Sequence, residues 1–382
     1  MIYLDNAATT MPYNEVTEEM ARVDKEFFAN PSSMHTAGYD AEKKVKLAEE
    51  TVLNSIGGTD GKLIFTSGGT ESNNLALFGT VFSALKRKPH IITTKIEHPA
   101  ILEPARALEE LGAEITYISP DEKGFVNPDD VVKNIKDNTK LVSVMAVNNE
   151  TGAIQPIAEI CQKVKALNNR ILVHSDCVQA FGNIKINAKA WGIDMLSLSG
   201  HKIHGPKGVG GLYIAKNVRI NPIILGGHQQ DNLRSGTHNT TGIMGFSKAV
   251  QLMQERFFEK SEKLSVLKKR LIETLKENDL FEINNEGEQY SSHIISIRVK
   301  NVRAEVLLHA LEPYGICISA GSACSSNKPS PSHVLTSMGF DKKKIEETIR
   351  VSTGSFTTEA DIDAFCDAVI NEAEALSRFT RV

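Results

Sequence analysis

The sequence has no apolar run approaching the roughly 20 residues that a membrane-spanning helix needs. It has no excess of charge of one sign either: 43 Lys and Arg stand against 47 Asp and Glu, a net −4. That balance gives no electrostatic ground for nucleic acid or an anionic membrane as a partner. The opening Met1-Ile2-Tyr3-Leu4-Asp5 lacks a charged region followed by an apolar stretch, so no secretory signal is expected. Cysteine is scarce. The five (161, 177, 317, 324, 366) are odd in number and form no Cys-x-x-Cys pair, which argues against a disulfide framework or a structural metal site. A reducing cytoplasm is the expected location, and a free thiol can act there as a reagent. Internal repeats and low-complexity tails are also missing.

A chain of 382 residues, 41% hydrophobic and 24% charged, has an ordinary globular composition but is too long for one compact core, so two domains are expected. Short apolar runs at 62–66, 90–93, 114–118, 141–145 and 171–174 read as buried strands. Helical patterns near 70–86, 98–111, 128–136 and 156–168 lie between them. The alternation predicts a large α/β domain over 14–255, with a mostly parallel sheet flanked by helices. A Lys- and Glu-rich helical pattern from about 240 to 277 leads onward. Beyond it a strand at 294–299, a helix from 303, a Ser/Gly/Pro loop at 319–333, a strand at 349–352 and a final helix from about 358 predict a smaller α+β domain. Residues 1–13 are too short to stand alone and are expected to pack against 256–382.

Ligands of open α/β sheets collect at the carboxyl ends of the strands, and the chemistry-bearing residues fall there. The most informative stretch runs from His174 to Gly208. An apolar strand ends on Asp176, Gln179 follows, and Ser199-Gly200-His201 leads into Lys202, with Gly205, Pro206 and Gly208 behind. A lysine near glycines is common in loops. A lysine combined with a strand-terminal acid suits pyridoxal phosphate, which needs an amine for its aldehyde and a carboxylate for its pyridinium nitrogen.

Thr66-Ser67-Gly68-Gly69-Thr70-Glu71-Ser72-Asn73 follows a strand and opens a helix. It reads either as a capped glycine turn or as a phosphate cup built from backbone amides and the Thr70 hydroxyl; the downstream lysine favours the cup. Ser199 and His201 could complete it. His98 stands at another strand-to-helix junction, where it either caps the helix or stacks on a ring and moves protons. Asn149 ends a strand and is a turn asparagine or a contact to cofactor or substrate. Arg350, inside a short β pattern, is an edge decoration or an anion binder. Its forked guanidinium suits the carboxylate of an amino acid, and binding is the favoured reading. Cys324 sits among small residues ahead of Pro329 and Pro331, which predicts an exposed, mobile loop where a thiol can ionise and attack. Cys177 reads as a small side chain packed beneath the cofactor.

Taken together these segments resemble the cysteine desulfurases of the fold type I, class-V aminotransferase family. The resemblance covers essentially the whole chain and implies that the large-domain sheet, mostly parallel and flanked by helices, is seven-stranded, with a smaller α+β domain beside it. It rests on Tyr3–Thr10, Thr66–Asn73, Thr94–His98, Val147–Gly152, His174–Gln179, Ser199–Gly208, Arg234–Thr237 and Gly321–Cys324. It implies pyridoxal phosphate joined to Lys202, with Asp176 on the ring nitrogen, Gln179 on the phenolic oxygen and His98 stacked on the ring. Gly69, Thr70, Ser199 and His201 would hold the phosphate. Thr237 is similar to the residue that reaches the phosphate from a neighbouring subunit, which implies a homodimer. Asn149 and Arg350 would orient L-cysteine.

Cys324 is similar to the sulfur acceptor in the branch with a long, mobile catalytic loop. The expected activity converts L-cysteine to L-alanine and leaves a persulfide on Cys324. Its sulfur would pass to an acceptor protein, for iron–sulfur cluster assembly or for tRNA or cofactor thiolation. Gly226-Gly227-His228-Gln229-Gln230 departs from the family's glycine-rich segment ending in Gln-Glu, so contacts there are expected to differ. The chain stops at Val382, soon after its last helix, whereas relatives with a longer tail use it to dock a scaffold protein. Selenocysteine lyase, another class-V enzyme such as a transaminase, and a sulfur carrier or scaffold without catalysis share the scaffold; intact Lys202, Asp176 and His98 argue against the last.

Overall fold

The computed structural model describes residues 1–320 and 331–379. Its centre is a seven-stranded sheet in the order Lys62–Thr66, Gly210–Ile214, Met195–Ser199, Leu172–Asp176, Thr139–Ser143, His90–Thr94, Glu114–Ile118. Six strands run one way, and Gly210–Ile214 runs antiparallel to both of its neighbours. The inner strands are buried on both faces because helices cover both. The large apolar clusters of residues 13–253, joined by Val334, Leu335 and Met338 from the C-terminal portion, lie on these two faces.

A second core gathers around a four-stranded antiparallel sheet ordered Ser319–Ala320, Thr348–Ser352, Ile294–Val299, Phe281–Ile283. Helices Phe257–Lys276, Ala304–Leu311 and Glu359–Phe379 contribute to its interior. Leu4 is part of this core, and Ile2–Tyr3 pairs in parallel with Ile316–Cys317.

Two elements differ from the sequence reading. The helical pattern over 240–277 is two helices, Thr240–Glu255 and Phe257–Lys276, broken at Arg256. The Arg256 guanidinium donates to Glu15 at 2.6 Å and lies over the Tyr13 ring, so the break falls where the chain is pinned to its own N-terminal portion. Strand Gly210–Ile214 was not expected, since two glycines weaken a strand signal. Space explains them. A Cβ at Gly210 would lie 2.4 Å from the Leu198 carbonyl oxygen and 2.8 Å from the Cα of Gly68. Gly68 itself has φ +148°, which residues with a side chain rarely adopt. The two glycines let the turn after Thr66 settle directly onto the sheet.

Gly210→Ala should therefore lower the unfolding free energy by about 1–3 kcal/mol, the usual cost of an overpacked interior. Urea denaturation checks this, and an unchanged midpoint would show that the contact relaxes freely.

Candidate active site

The carboxyl ends of the parallel strands open onto a cavity of about 380 Å³ between the two cores. Gly69, Thr70, His98, Asn149, Asp176, Gln179, Ser199, His201, Lys202 and Arg350 all line it. Each element delivers its residue by chain order. Strand Lys62–Thr66 leads through Gly68 into helix Gly69–Val81, whose first turn faces the cavity; Gly68 has no side chain with which to cap it. Strand Met195–Ser199 ends on Ser199 and passes into the short turn Gly200–Lys202. The Ser199 hydroxyl is buried and has no hydrogen-bond partner among the described residues.

Asp176 closes strand Leu172–Asp176 and is 5% exposed. One carboxylate oxygen accepts from the Asn73 side-chain nitrogen at 2.6 Å and the other from the Val178 amide at 2.9 Å. Asn73 was quoted in the helix-opening motif but given no role. It lies four residues after Gly69 on that helix, a spacing that marks the cavity-facing side. Lys202 Nζ donates to the carbonyls of Ala7 and Ala8 at 2.5 and 2.6 Å. Gln179 Nε2 donates to the same Ala7 carbonyl at 2.8 Å. The N-terminal segment thus forms one wall, a placement that nothing local in Asn6-Ala7-Ala8 announces.

Arg350, 4% exposed, reaches the cavity from the four-stranded sheet. It donates to Asp5 at 2.8 Å, to the Asn149 carbonyl at 2.9 Å and to Ser319 at 3.1 Å. It is a strand arginine with a buried charge, not an edge decoration, and Asp5 is the partner that sequence reading missed.

His98 caps helix Pro99–Glu110, its Nδ1 accepting the Ala100 amide at 3.1 Å, and its side chain also lines the cavity. Burial holds its imidazole below the usual histidine range, with Lys202 and His333 adding to the effect and Asp176 opposing it. Burial likewise pulls His201 down to about 4, and its Nδ1 meets the Thr9 hydroxyl at 3.1 Å. His174, inside the sheet between Ser143 and Ser197 at 2.9 Å each, falls to about 3 through burial. These imidazoles are neutral at pH 7.

Thr237 does not line the cavity; it is exposed in the loop that follows Arg234. Arg234 ties this loop to helix Gly69–Val81 through Glu71, at 2.8 Å. Burial pushes the Glu71 carboxyl up, but Arg234 and Ser67 more than offset it and leave it low. The departing segment 226–230 also stays outside the cavity. There the Gln230 amide pairs with the backbone N–H and C=O of Phe65, at 2.7 and 2.9 Å, on the open edge of strand Lys62–Thr66.

Cys324 lies outside the described residues. Among the described residues on either side of it, Ser319 is tied to Arg350 in the cavity, while Ser332 meets Glu150 at 2.5 Å and His333 Nε2 meets the Glu97 carbonyl at 2.9 Å, each next in the chain to a cavity-lining residue, Asn149 and His98. Cys161, Cys177 and Cys366 are buried, and burial raises all three thiols, to about 12 for Cys161 and Cys366. Cys177, next in the chain to Asp176, is buried in the large apolar core.

Residues 2–365 match the family described as Aminotransferase class-V, and the chain belongs to that family. Within it the chain stands among the cysteine desulfurases. It is 41% identical over 377 residues to the cysteine desulfurase IscS of Dictyoglomus turgidum, covering 98% of this chain and 95% of that protein. It is 40% identical over 368 residues to the cysteine desulfurase IscS of Methanosarcina thermophila, covering 96% and 91%. A solved NifS-like protein superposes with a TM-score of 0.91 at 36% identity, over 98% of this chain and 99% of that one. A structure described as SspA in complex with cysteine superposes with a TM-score of 0.83 at 34% identity, over 94% and 100%.

Glu97, fully buried beside His98, sits beneath the site. Its Oε1 accepts from the Thr94 hydroxyl at 2.7 Å and the Met145 amide at 2.9 Å, and its Oε2 has no partner among the described residues. Burial raises its carboxyl to about 8, from 4.5 in an unfolded chain. Between those values the unfolded chain releases a proton that the folded chain keeps, so stability falls as pH rises from about 4.5 to 8. Glu97→Gln has no proton to release. Its urea midpoint relative to the parent should climb steadily between about pH 5 and pH 8, and a difference that stays constant would mean an ionised Glu97 in the folded protein.

Proposed function

We propose that this chain is a pyridoxal-phosphate-dependent cysteine desulfurase, converting L-cysteine to L-alanine and passing the sulfur to Cys324 as a persulfide. The observation that carries the reading is the meeting of Lys202, Asp176 and the uncapped helix start at Gly69 in one cavity. The donor set fits the cofactor. The orphaned Ser199 hydroxyl, the free amides of the first turn and neutral His201 suit a phosphate dianion. Asp176, held by Asn73 and Val178, suits a protonated pyridine nitrogen. Lys202 supplies the amine for the aldehyde, Gln179 a donor for the phenolic oxygen and His98 a ring to stack upon. Thr237, exposed and outside its own chain's cavity, is available to a second copy, which supports a homodimer with shared sites.

When bound, pyridoxal phosphate supplies an electron-accepting ring that stabilises negative charge on the substrate's α-carbon. Arg350 binds the substrate carboxylate, with Asp5 and Ser319 fixing its guanidinium and Asn149 beside it. Lys202 takes the α-proton. The Cys324 thiolate attacks the substrate sulfur: an S–S bond forms, the carbon–sulfur bond breaks, and the electron pair left on carbon takes up a proton to give alanine. His98, whose Nδ1 is occupied by the Ala100 amide, moves protons through Nε2. A sulfur-acceptor protein then removes the persulfide sulfur. The division into a large domain over 14–255 and a small one over 1–13 and 256–382 is part of the same reading, supported by the separate core of Leu4 and residues between 264 and 373, from which Val334, Leu335 and Met338 depart to pack with the large one.

Incubation of the purified protein with L-cysteine and a thiol or protein acceptor should yield alanine and labelled, acceptor-bound sulfur in equal amounts. Cys324→Ala should retain the cofactor's visible absorbance and lose alanine formation by at least about 100-fold, as expected for removal of a nucleophile. Alanine production at the parent rate by that variant would show that the thiol is not the acceptor.

A further inference from the structure

Behind the cavity wall formed by Gln179 lies a buried histidine with no role in the chemistry above. His293 is 4% exposed and immediately precedes strand Ile294–Val299. Its Nε2 lies 3.2 Å from Gln179 Oε1, and its Nδ1 lies 2.5 Å from the Ser291 hydroxyl. The protonation pattern follows from the partners. Gln179 Nε2 donates to the Ala7 carbonyl, which turns the amide oxygen toward His293. An amide oxygen only accepts, so His293 Nε2 carries the hydrogen and Nδ1 accepts from Ser291.

The Asn183 side-chain nitrogen donates to the Gln179 main-chain carbonyl at 3.0 Å and flanks the same ring nitrogen at 3.4 Å. The Asn183 side-chain oxygen is taken by Lys260 at 2.9 Å. Lys260, Lys268, Lys202 and Arg350 all face this imidazole; with burial, these cations keep it neutral. The Ala7 carbonyl is shared. It receives Lys202 Nζ as well as Gln179 Nε2, so the amide and the lysine nitrogen are neighbours on one acceptor.

We propose that His293 is a positioning residue that locks the Gln179 side-chain amide with its nitrogen toward Ala7 and Lys202, through a Ser291–His293–Gln179 relay. In that orientation the positive end of the amide dipole opposes an extra proton on the Lys202 nitrogen. A reversed amide would offer its oxygen instead and favour the cation. His293 therefore sets the proton affinity at Lys202 from two residues away, without touching the cavity.

This inference rests on the cofactor reading, and its test separates the two. The visible absorbance of the full-length protein loaded with pyridoxal phosphate is titrated against pH. In His293→Leu the midpoint should rise by about half a pH unit or more, the scale of one lost or reversed dipole. In Ser291→Ala it should rise by less, which carries the test if the leucine variant does not fold. His293→Gln, whose amide can donate from the same place, should restore the parent midpoint. Parent midpoints in both His293→Leu and Ser291→Ala would overturn the inference alone. A parent protein that develops no visible band on loading would overturn the cofactor reading and this inference with it.

Discussion

The carbonyls of Ala7 and Ala8 are the point on which the site is assembled. They receive Lys202 and, through Ala7, Gln179, both delivered by loops at the carboxyl ends of the large sheet. The same N-terminal segment is fixed to the other core: Leu4 is buried in it, Asp5 pairs with Arg350, and Asn6 donates to the Ser352 carbonyl at 3.1 Å. On its far side Thr10 donates to the His201 carbonyl at 2.8 Å. Half a dozen residues therefore hold two separately packed cores in a fixed relation, and the cavity is the space left between them. The buried Ala7 carbonyl resists loosening, because leaving a buried acceptor unpaired costs more than the bond itself gains.

The electrostatics follow from that enclosure. Burial keeps His98, His174, His201 and His293 neutral, and raises Glu97 and Glu150. The charges placed at the cavity are Lys202 and Arg350 on one side and Asp5 and Asp176 on the other, each with specific hydrogen bonds. A cavity with few, well-fixed charges and two neutral imidazoles, His98 and His201, suits an enzyme that shuttles protons around a dianionic cofactor and a zwitterionic substrate.

Much of this was legible in the sequence, for a physical reason. In a parallel sheet the loops after each strand converge, so a strand-terminal acid, a glycine-rich turn and a lysine loop lie together once the strand–helix alternation is recognised. Asp176, Ser199, Lys202, Gly69 and His98 were readable in that way. The contributions that were not readable come from chain-distant segments whose partners local pattern cannot supply. Asp5 meets Arg350 across 345 positions, and His293 reaches Gln179 across 114. Strand Gly210–Ile214 was obscured because the glycines that make its close packing possible also erase its β signal. Cys324 rests on sequence resemblance and on where its flanking residues are anchored.

The central claim is that Lys202 is the covalent anchor of pyridoxal phosphate. Borohydride reduction of the cofactor-loaded protein, followed by digestion and mass spectrometry, tests it most directly. The account predicts a stable pyridoxyl-phosphate adduct on the peptide containing Lys202 and on no other lysine. An unmodified Lys202 in a cofactor-saturated sample would contradict it.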